Sequence, residues 1–386
     1  TLGAMTDQLD AQCPRIPDTL LPHDGRFGCG PSKIRTQQLD ALMRPLVMGT
    51  SHRQQPVRSI VASIRSGLRD LFSLPEGWEV ALGNGGSTTF WAVATTSLIR
   101  RRSAHAVFGE FGSKFADEAA RAPHLAAPLI VKSEPGTVAT LIDEGAVGHD
   151  SGEPIDVAAY PHHETSTGAL SPLYRVNVDD CLTVVDATSI AGGVRVDLNN
   201  VDVYYFSPQK CFGSDGGLWV ALLSPAAQER AERLHGDDAR WMPQILDLSI
   251  ACRNSSKDQT LNTPAIATLI MLDQQIQWML AGGGLQVMEA RCLESSDVLY
   301  QWADAHSHLT PFVSNAQWRS PVVVTVDCDD TVDAARVCRI LRANGVVDVE
   351  PYRKLGRNQL RIGTFPSVES RDVRALTQCV DWVIDN

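Results

Sequence analysis

The chain has 386 residues, more than the roughly 100–200 of one typical domain and enough for two or three. It carries 34 Lys and Arg against 45 Asp and Glu, a formal charge of −11, which argues against broad adhesion to nucleic acid or an anionic membrane, so an anionic ligand needs a local basic cluster. With 44% hydrophobic and 20% charged residues it is too apolar to be disordered, and no apolar stretch approaches the roughly 20 residues of a membrane span.

Thr1 to Ala4 precede Met5 and read as an expression scar, the first part of an arm over residues 1–23. Val57, Ile60, Val61, Ile64, Leu68, Leu71 and Phe72 recur at helical spacing, so Val57 to Phe72 is expected to be an amphipathic helix. Short apolar runs then alternate with helical segments: Val80 to Gly83, Ala104 to Phe108, Ile155 to Tyr160, Leu182 to Val185, Val203 to Phe206 and Leu218 to Leu223. Alternation of this kind predicts an α/β fold with a mostly parallel sheet covered on both faces. Val138 to Glu153 reads as a surface connection.

Pro264 to Leu280 and Leu285 to Trp302 read as long helices separated by Gly282, Gly283 and Gly284. Beyond them, a strand at Val322 to Val326, a helix at Val332 to Ala343 stopped by Asn344-Gly345, strands near Val346 and Leu360 and a helix from Val368 make a smaller α/β unit. The nine cysteines are dispersed without CxxC spacing and read as reduced thiols. With no secretion signal, the expected location is cytoplasmic.

Tyr205-Phe206-Ser207-Pro208-Gln209-Lys210 ends an apolar strand in a lysine, at the edge where open α/β sheets bind ligands. A solvated lysine and a Schiff-base lysine both suit this segment taken alone. Thr183-Val184-Val185-Asp186 ends another strand in a carboxylate, which would either cap a helix or hold a protonated pyridine nitrogen. Gly83-Asn84-Gly85-Gly86-Ser87-Thr88 is a tight turn or a phosphate cradle at a helix start, and its spacing disfavours a dinucleotide or P-loop site. His162, His163 and Glu164 lack metal-ligand spacing, and no metal site is assigned. His52-Arg53 and the Arg353, Lys354, Arg357, Arg361 cluster are either solvated charge or a pocket for a small, multiply charged anion.

Thr50-Ser51-His52-Arg53, Gly85-Gly86-Ser87, His163-Glu164-Thr165, Asp186-Ala187-Thr188-Ser189, Pro208-Gln209-Lys210, Leu261-Asn262-Thr263-Pro264 and the Arg361 segment stand in one order along the chain. In this order and spacing the sequence from Asp24 onward resembles the phosphoserine aminotransferase family, and most of all its actinobacterial branch. The resemblance implies a pyridoxal-phosphate-dependent transferase of fold type I. Its large domain, with a mainly parallel seven-stranded sheet, would span residues 24–280. A small C-terminal domain would span 281–386, and two copies would share their active sites as a homodimer.

The resemblance implies that Lys210 is the Schiff-base lysine and Asp186 the pyridine partner. Gly86, Ser87 and Gln209 would hold the cofactor phosphate with Asn262 and Thr263 of a second subunit, Thr165 would contact the ring hydroxyl, and Phe111 would stack on the ring. Arg361 would take the substrate α-carboxylate, and His52 and Arg53 of the second subunit the substrate phosphate. The implied reaction moves the amino group of L-glutamate to 3-phosphohydroxypyruvate, giving O-phospho-L-serine and 2-oxoglutarate in serine biosynthesis, with pyridoxine biosynthesis as a related role. The chain departs from the better-known bacterial pattern at Ser87, often an arginine, and at Arg353-Lys354, which replace a His-Arg pair; which of Arg353, Lys354 and Arg357 meets the phosphate stays open. The alternatives are a fold-type-I aminotransferase acting on another keto acid and a non-catalytic binder of phosphorylated metabolites.

Overall fold

The computed structural model describes residues 14–43, 47–142 and 152–386. The reading of residues 1–4 and most of the connection proposed at 138–153 lie outside the described residues. A short helix α1 (Thr36–Ala41) precedes α2 (Gln55–Leu71), the amphipathic helix expected from the sequence. Pro56 starts α2 where a missing N–H costs nothing, and Val57, Ile60, Val61, Ile64, Leu68 and Leu71 are buried. Each such side chain contributes roughly 1.5–3 kcal/mol on burial, so this face anchors the helix.

The central sheet is built from β1 (Glu79–Asn84), β2 (Ser103–Val107), β3 (Leu129–Lys132), β4 (Val157–Pro161), β7 (Leu182–Asp186), β8 (Val203–Phe206) and β9 (Leu218–Leu223). A two-stranded piece, β5 (His163–Glu164) with β6 (Ala169–Leu170), interrupts the series. The seven strands lie in the order β1-β9-β8-β7-β4-β2-β3, and β9 is antiparallel to both β1 and β8 while the other pairings are parallel. Strands β2, β4, β7, β8 and β9 are buried along their whole length, as strands of a sheet covered on both faces must be. The carboxyl ends of β1, β4, β7 and β8 consequently open on one edge, the ligand edge of such sheets.

Helices α3 (Gly86–Ser97) and α4 (Glu110–Arg121) follow β1 and β2, and α5 (Pro225–His235) and α6 (Leu248–Ser255) follow β9. The long helices are α7 (Ile266–Ala281) and α8 (Gly284–Ala305), with Gly283 at φ +106 turning the chain between them. A second sheet of β10 (Leu309–Pro311), β11 (Val323–Cys328) and β12 (Gln359–Gly363) packs with α9 (Ala334–Ala343) and α10 (Ser370–Asp385) around its own core of Val324, Val326, Leu360, Ile362 and Val380.

Two expectations need correction. The strand near Val346 does not form: Gly345 at φ +82 ends α9, and Val347 makes only an isolated bridge to Arg26. Strand β3 went unforeseen because it is a short edge strand on which Val131 alone is buried. Residues 25–32 connect the second sheet to the Lys210 loop. Phe27 is fully buried in the second core, Gly363 N–H donates to Phe27 O at 2.7 Å, and Ser32 N–H donates to Gln209 O at 2.9 Å. The described cysteines are free thiols, and no helix among the described residues is long and apolar enough to cross a membrane.

Candidate active site

At the carboxyl edge of the central sheet lies a cavity of about 350 Å³, lined by Gly86, Ser87, Phe111, Thr165, Asp186, Gln209 and Lys210 among others. Each lining residue arrives by a local rule. Asp186 is the last residue of β7, and Lys210 follows β8 through Ser207-Pro208-Gln209. Gly85 and Gly86, at φ +108 and +78, turn β1 into α3 so that the helix start faces the cavity.

Lys210 is nearly enclosed, and its Nζ donates to Cys29 O at 2.6 Å. Burial is the main cause that pushes its ammonium down to about 8, and the positive charge of Arg361 acts in the same direction. Gly30 allows this close approach: at φ +137, a Cβ there would stand 2.1 Å from Nζ.

Asp186 is held by four donors. Thr188 N–H and Oγ1 reach Oδ1 at 2.9 and 2.5 Å, and Trp91 Nε1 and Tyr205 OH reach Oδ2 at 3.1 and 2.9 Å. A carboxylate with every lone-pair direction engaged is fixed in place. Beside it Ser87 Oγ lies 2.6 Å from Thr188 Oγ1 and 2.8 Å from Ser207 Oγ, which also accepts the Ser87 N–H at 2.6 Å.

Phe111 opens α4, and its ring centroid is 5.9 Å from that of Tyr352. Glu164, fully buried, accepts Phe111 N–H and Gly112 N–H on Oε2 and the Ser166 hydroxyl at 2.7 Å on Oε1, locking the helix start to the loop that carries Thr165. Burial pushes the Glu164 carboxyl up, against the downward pull of these donors. Thr165 O in turn accepts Arg361 Nη1 at 3.2 Å, and the guanidinium carbon of Arg361 lies 5.4 Å from the Tyr352 ring centroid. His163 lines the cavity with Nδ1 2.7 Å from Ser189 Oγ, and burial lowers its pKa to about 3, so the imidazole is neutral.

The remaining candidates stand apart. Asn262 and Thr263 meet Asn84 and His52, with Thr263 Oγ1 3.3 Å from His52 Nδ1, while Arg53 Nη1 donates to Gln259 Oε1 at 3.1 Å. None of these four residues lines the cavity. Lys354 pairs with Glu110 across the cleft, and Arg357 is engaged by Asp327 at 2.5 Å and lies 4.6 Å over Phe312. Arg353 is exposed and makes no ion pair among the described residues. Among those residues no group of three or more His, Cys, Asp or Glu could hold a metal ion.

Sequence reasoning missed Trp91, Tyr205, Ser207, Cys29 and Gly30. Tyr205 pairs with Asp186 in the register of β7 and β8, and Trp91 comes from a different helix, so neither contact has a signal in local spacing.

The family described as aminotransferase class-V matches residues 38–349. A phosphoserine aminotransferase of Nocardioides sp. is 54% identical over 387 aligned residues, covering 99% of this chain and all of that protein. Among solved structures, a phosphoserine aminotransferase from Cytophaga hutchinsonii superposes with a TM-score of 0.84 at 20% identity, covering 93% of this chain and 99% of that one. A pyridoxamine-pyruvate aminotransferase from Mesorhizobium loti gives 0.82 at 20% identity over 96% and 94%. At such identities the structural likeness shows the fold, which is the one expected from the sequence. The chain belongs to the class-V aminotransferase family.

Proposed function

We propose that this family member is a phosphoserine aminotransferase, which moves the amino group of L-glutamate to 3-phosphohydroxypyruvate and yields O-phospho-L-serine and 2-oxoglutarate. The observation that carries the transaminase reading is a buried lysine with a depressed pKa in the same cavity as a fixed carboxylate and a glycine-turned helix start. The narrowing to phosphoserine rests on the Nocardioides relative, matched end to end.

The residues fit pyridoxal phosphate. His163 Nε2 is buried without a partner among the described residues, and the absent side chain of Gly86 leaves the helix start open. Gly86, Ser87 and Gln209 would hold the phosphate, Asp186 the pyridine nitrogen, Thr165 the ring hydroxyl and Phe111 the ring face. When bound, the cofactor supplies an aldehyde carbon for amine capture and a pyridinium that accepts electrons.

The chain's own residues do the rest. Lys210 has an amine that becomes neutral near pH 8, so it can attack a carbonyl and later carry the α-proton. Arg361 receives the α-carboxylate common to both substrates and is steadied by Thr165 O and Tyr352. Arg353 makes no ion pair among the described residues and would meet the substrate phosphate, whereas Arg357 is committed to Asp327. His52, Arg53, Asn262 and Thr263 cluster outside the cavity, an arrangement that suits service to the site of a second copy, so the working form would be a homodimer. The division between the domains would fall at the α7–α8 turn, and the working compartment would be the cytoplasm.

Addition of pyridoxal phosphate to the purified chain should produce a visible absorption band. Glutamate should bleach it and 3-phosphohydroxypyruvate restore it, and Lys210→Ala should lower turnover by at least about a thousandfold. A wild type that stays colourless would exclude the transaminase reading; equal restoration by unphosphorylated pyruvate would favour an aminotransferase for another keto acid.

A further inference from the structure

The hydroxyl groups beside Asp186 have a fixed sense of donation. A carboxylate only accepts, so the Thr188 hydroxyl proton lies on its 2.5 Å bond to Oδ1, and Thr188 Oγ1 must accept from Ser87 Oγ at 2.6 Å. Ser87, having given its proton there, accepts from Ser207 Oγ at 2.8 Å. Ser207 completes the set by accepting the Ser87 N–H at 2.6 Å. All three hydroxyl protons therefore run from the start of α3 toward Asp186. The same helix closes the circuit, because Trp91 donates its indole N–H to Oδ2 at 3.1 Å.

We propose that Ser207, Ser87 and Thr188 form a relay that couples occupancy of the α3 anion cradle to the hydrogen-bond acceptance of Asp186. The inference rests on the cofactor reading above. A phosphate dianion, like a carboxylate, only accepts. An anion at Gly86 and Ser87 therefore draws the Ser87 proton to itself, while Ser207 goes on donating to Ser87 Oγ, and takes away the hydrogen bond that Thr188 Oγ1 receives. A hydroxyl that receives no hydrogen bond donates less strongly, so the hold on Oδ1 weakens and Asp186 becomes the stronger acceptor. Four donors hold the carboxylate, and an anion in the cradle loosens the Thr188 hydroxyl among them, which leaves Oδ1 the better acceptor for a ring N–H. One ligand carrying both a phosphate and a protonated ring nitrogen is then recognised cooperatively, and its unphosphorylated counterpart is not.

Linkage makes the coupling reciprocal: neutralising Asp186 must tighten anion binding. Repulsion through space between the anion and the carboxylate has the same sign, so the relay is the part that depends on the Thr188 hydroxyl. The test uses the full chain freed of cofactor and titrated with inorganic phosphate by calorimetry, together with the indole N–H resonance of Trp91, assigned by its loss in Trp91→Phe.

Phosphate should shift that resonance. Asp186→Asn should tighten phosphate binding, by a factor roughly threefold larger with Thr188 present than in Thr188→Val, the part of a hydrogen bond that cooperativity supplies. Thr188→Ser, which keeps the hydroxyl, should restore the full factor. If Thr188→Val fails to fold, as judged by near-ultraviolet circular dichroism, Ser87→Ala interrupts the same series and takes its place. Equal tightening in both backgrounds, or a Trp91 resonance indifferent to phosphate, overturns the proposal. The cofactor reading fails separately, if phosphate coupling is intact and pyridoxal phosphate gives no visible band.

Discussion

Lys210 begins from an ordinary lysine value of 10.5 and is brought down to about 8, chiefly because its charged form is denied water. The sign follows directly: the amine is neutral and nucleophilic above that pH and protonated below it. Capture of pyridoxal phosphate by the cofactor-free chain should therefore speed up as pH rises through about 8 and then level off, as stopped-flow absorbance would show. Arg361→Gln removes a nearby positive charge and should move the inflection to higher pH. Gly30 makes a second residue-scale prediction. Its absent side chain is the space Nζ occupies, so Gly30→Ala should cost about 1–3 kcal/mol of overpacking or displace the amine from Cys29 O. Equilibrium dialysis should then show weaker cofactor retention in a protein with unchanged far-ultraviolet circular dichroism. Lys210 and Asp186 were legible as candidates because each ends a strand-like run. Gly30, distant along the chain, had no such signal.

The start of α4 shows how one element depends on a buried charge contributed by another. Glu164 on β5 satisfies Phe111 N–H, Gly112 N–H and the Ser166 hydroxyl, so a helix lacking a side-chain cap of its own is capped from a neighbouring strand. Glu164→Gln turns one accepting oxygen into a donor facing other donors. It should destabilise the protein by about 1–3 kcal/mol, read as a lower midpoint in calorimetry, and leave Phe111 less fixed. Helices with a continuous apolar stripe, such as α2 and α9, were readable because their spacing repeats every turn. Strand β3 went unforeseen and the expected strand near Val346 does not form, because edge pairing and isolated bridges depend on partners in other segments of the chain.

At the scale of the whole molecule, residues 25–32 tie the second sheet to the Lys210 loop: Phe27 pairs with Gly363 and Val347, and two residues on Cys29 accepts from Lys210. The Arg361 side of the site and the lysine side therefore share one strap. The proposed homodimer makes a prediction that a self-sufficient chain does not. Lys210→Ala and Arg53→Ala chains, each inactive alone, should regain activity when coexpressed, because a mixed dimer contains one site with both residues intact. Random pairing would restore about a quarter of the wild-type sites, and no recovery would mean that Arg53 serves its own chain.

The sequence by itself determined the alternation of strands and helices, the carboxyl-edge placement of Asp186 and Lys210 and the family, because periodicity, strand ends and ordered motifs are local properties of a chain. The net charge of −11 argued against broad binding to polyanions, and the Arg cluster marked a place for a small anion. Only the tertiary structure decided that Trp91, Tyr205 and Thr188 surround Asp186, that Cys29 and Gly30 meet Lys210, and that Arg357 is spent on Asp327 while Arg353 is exposed and makes no ion pair among the described residues. Those outcomes depend on the register of β7 against β8, the path of residues 25–32 and the competition among neighbouring charges, all of which are set by contacts between segments far apart in the chain.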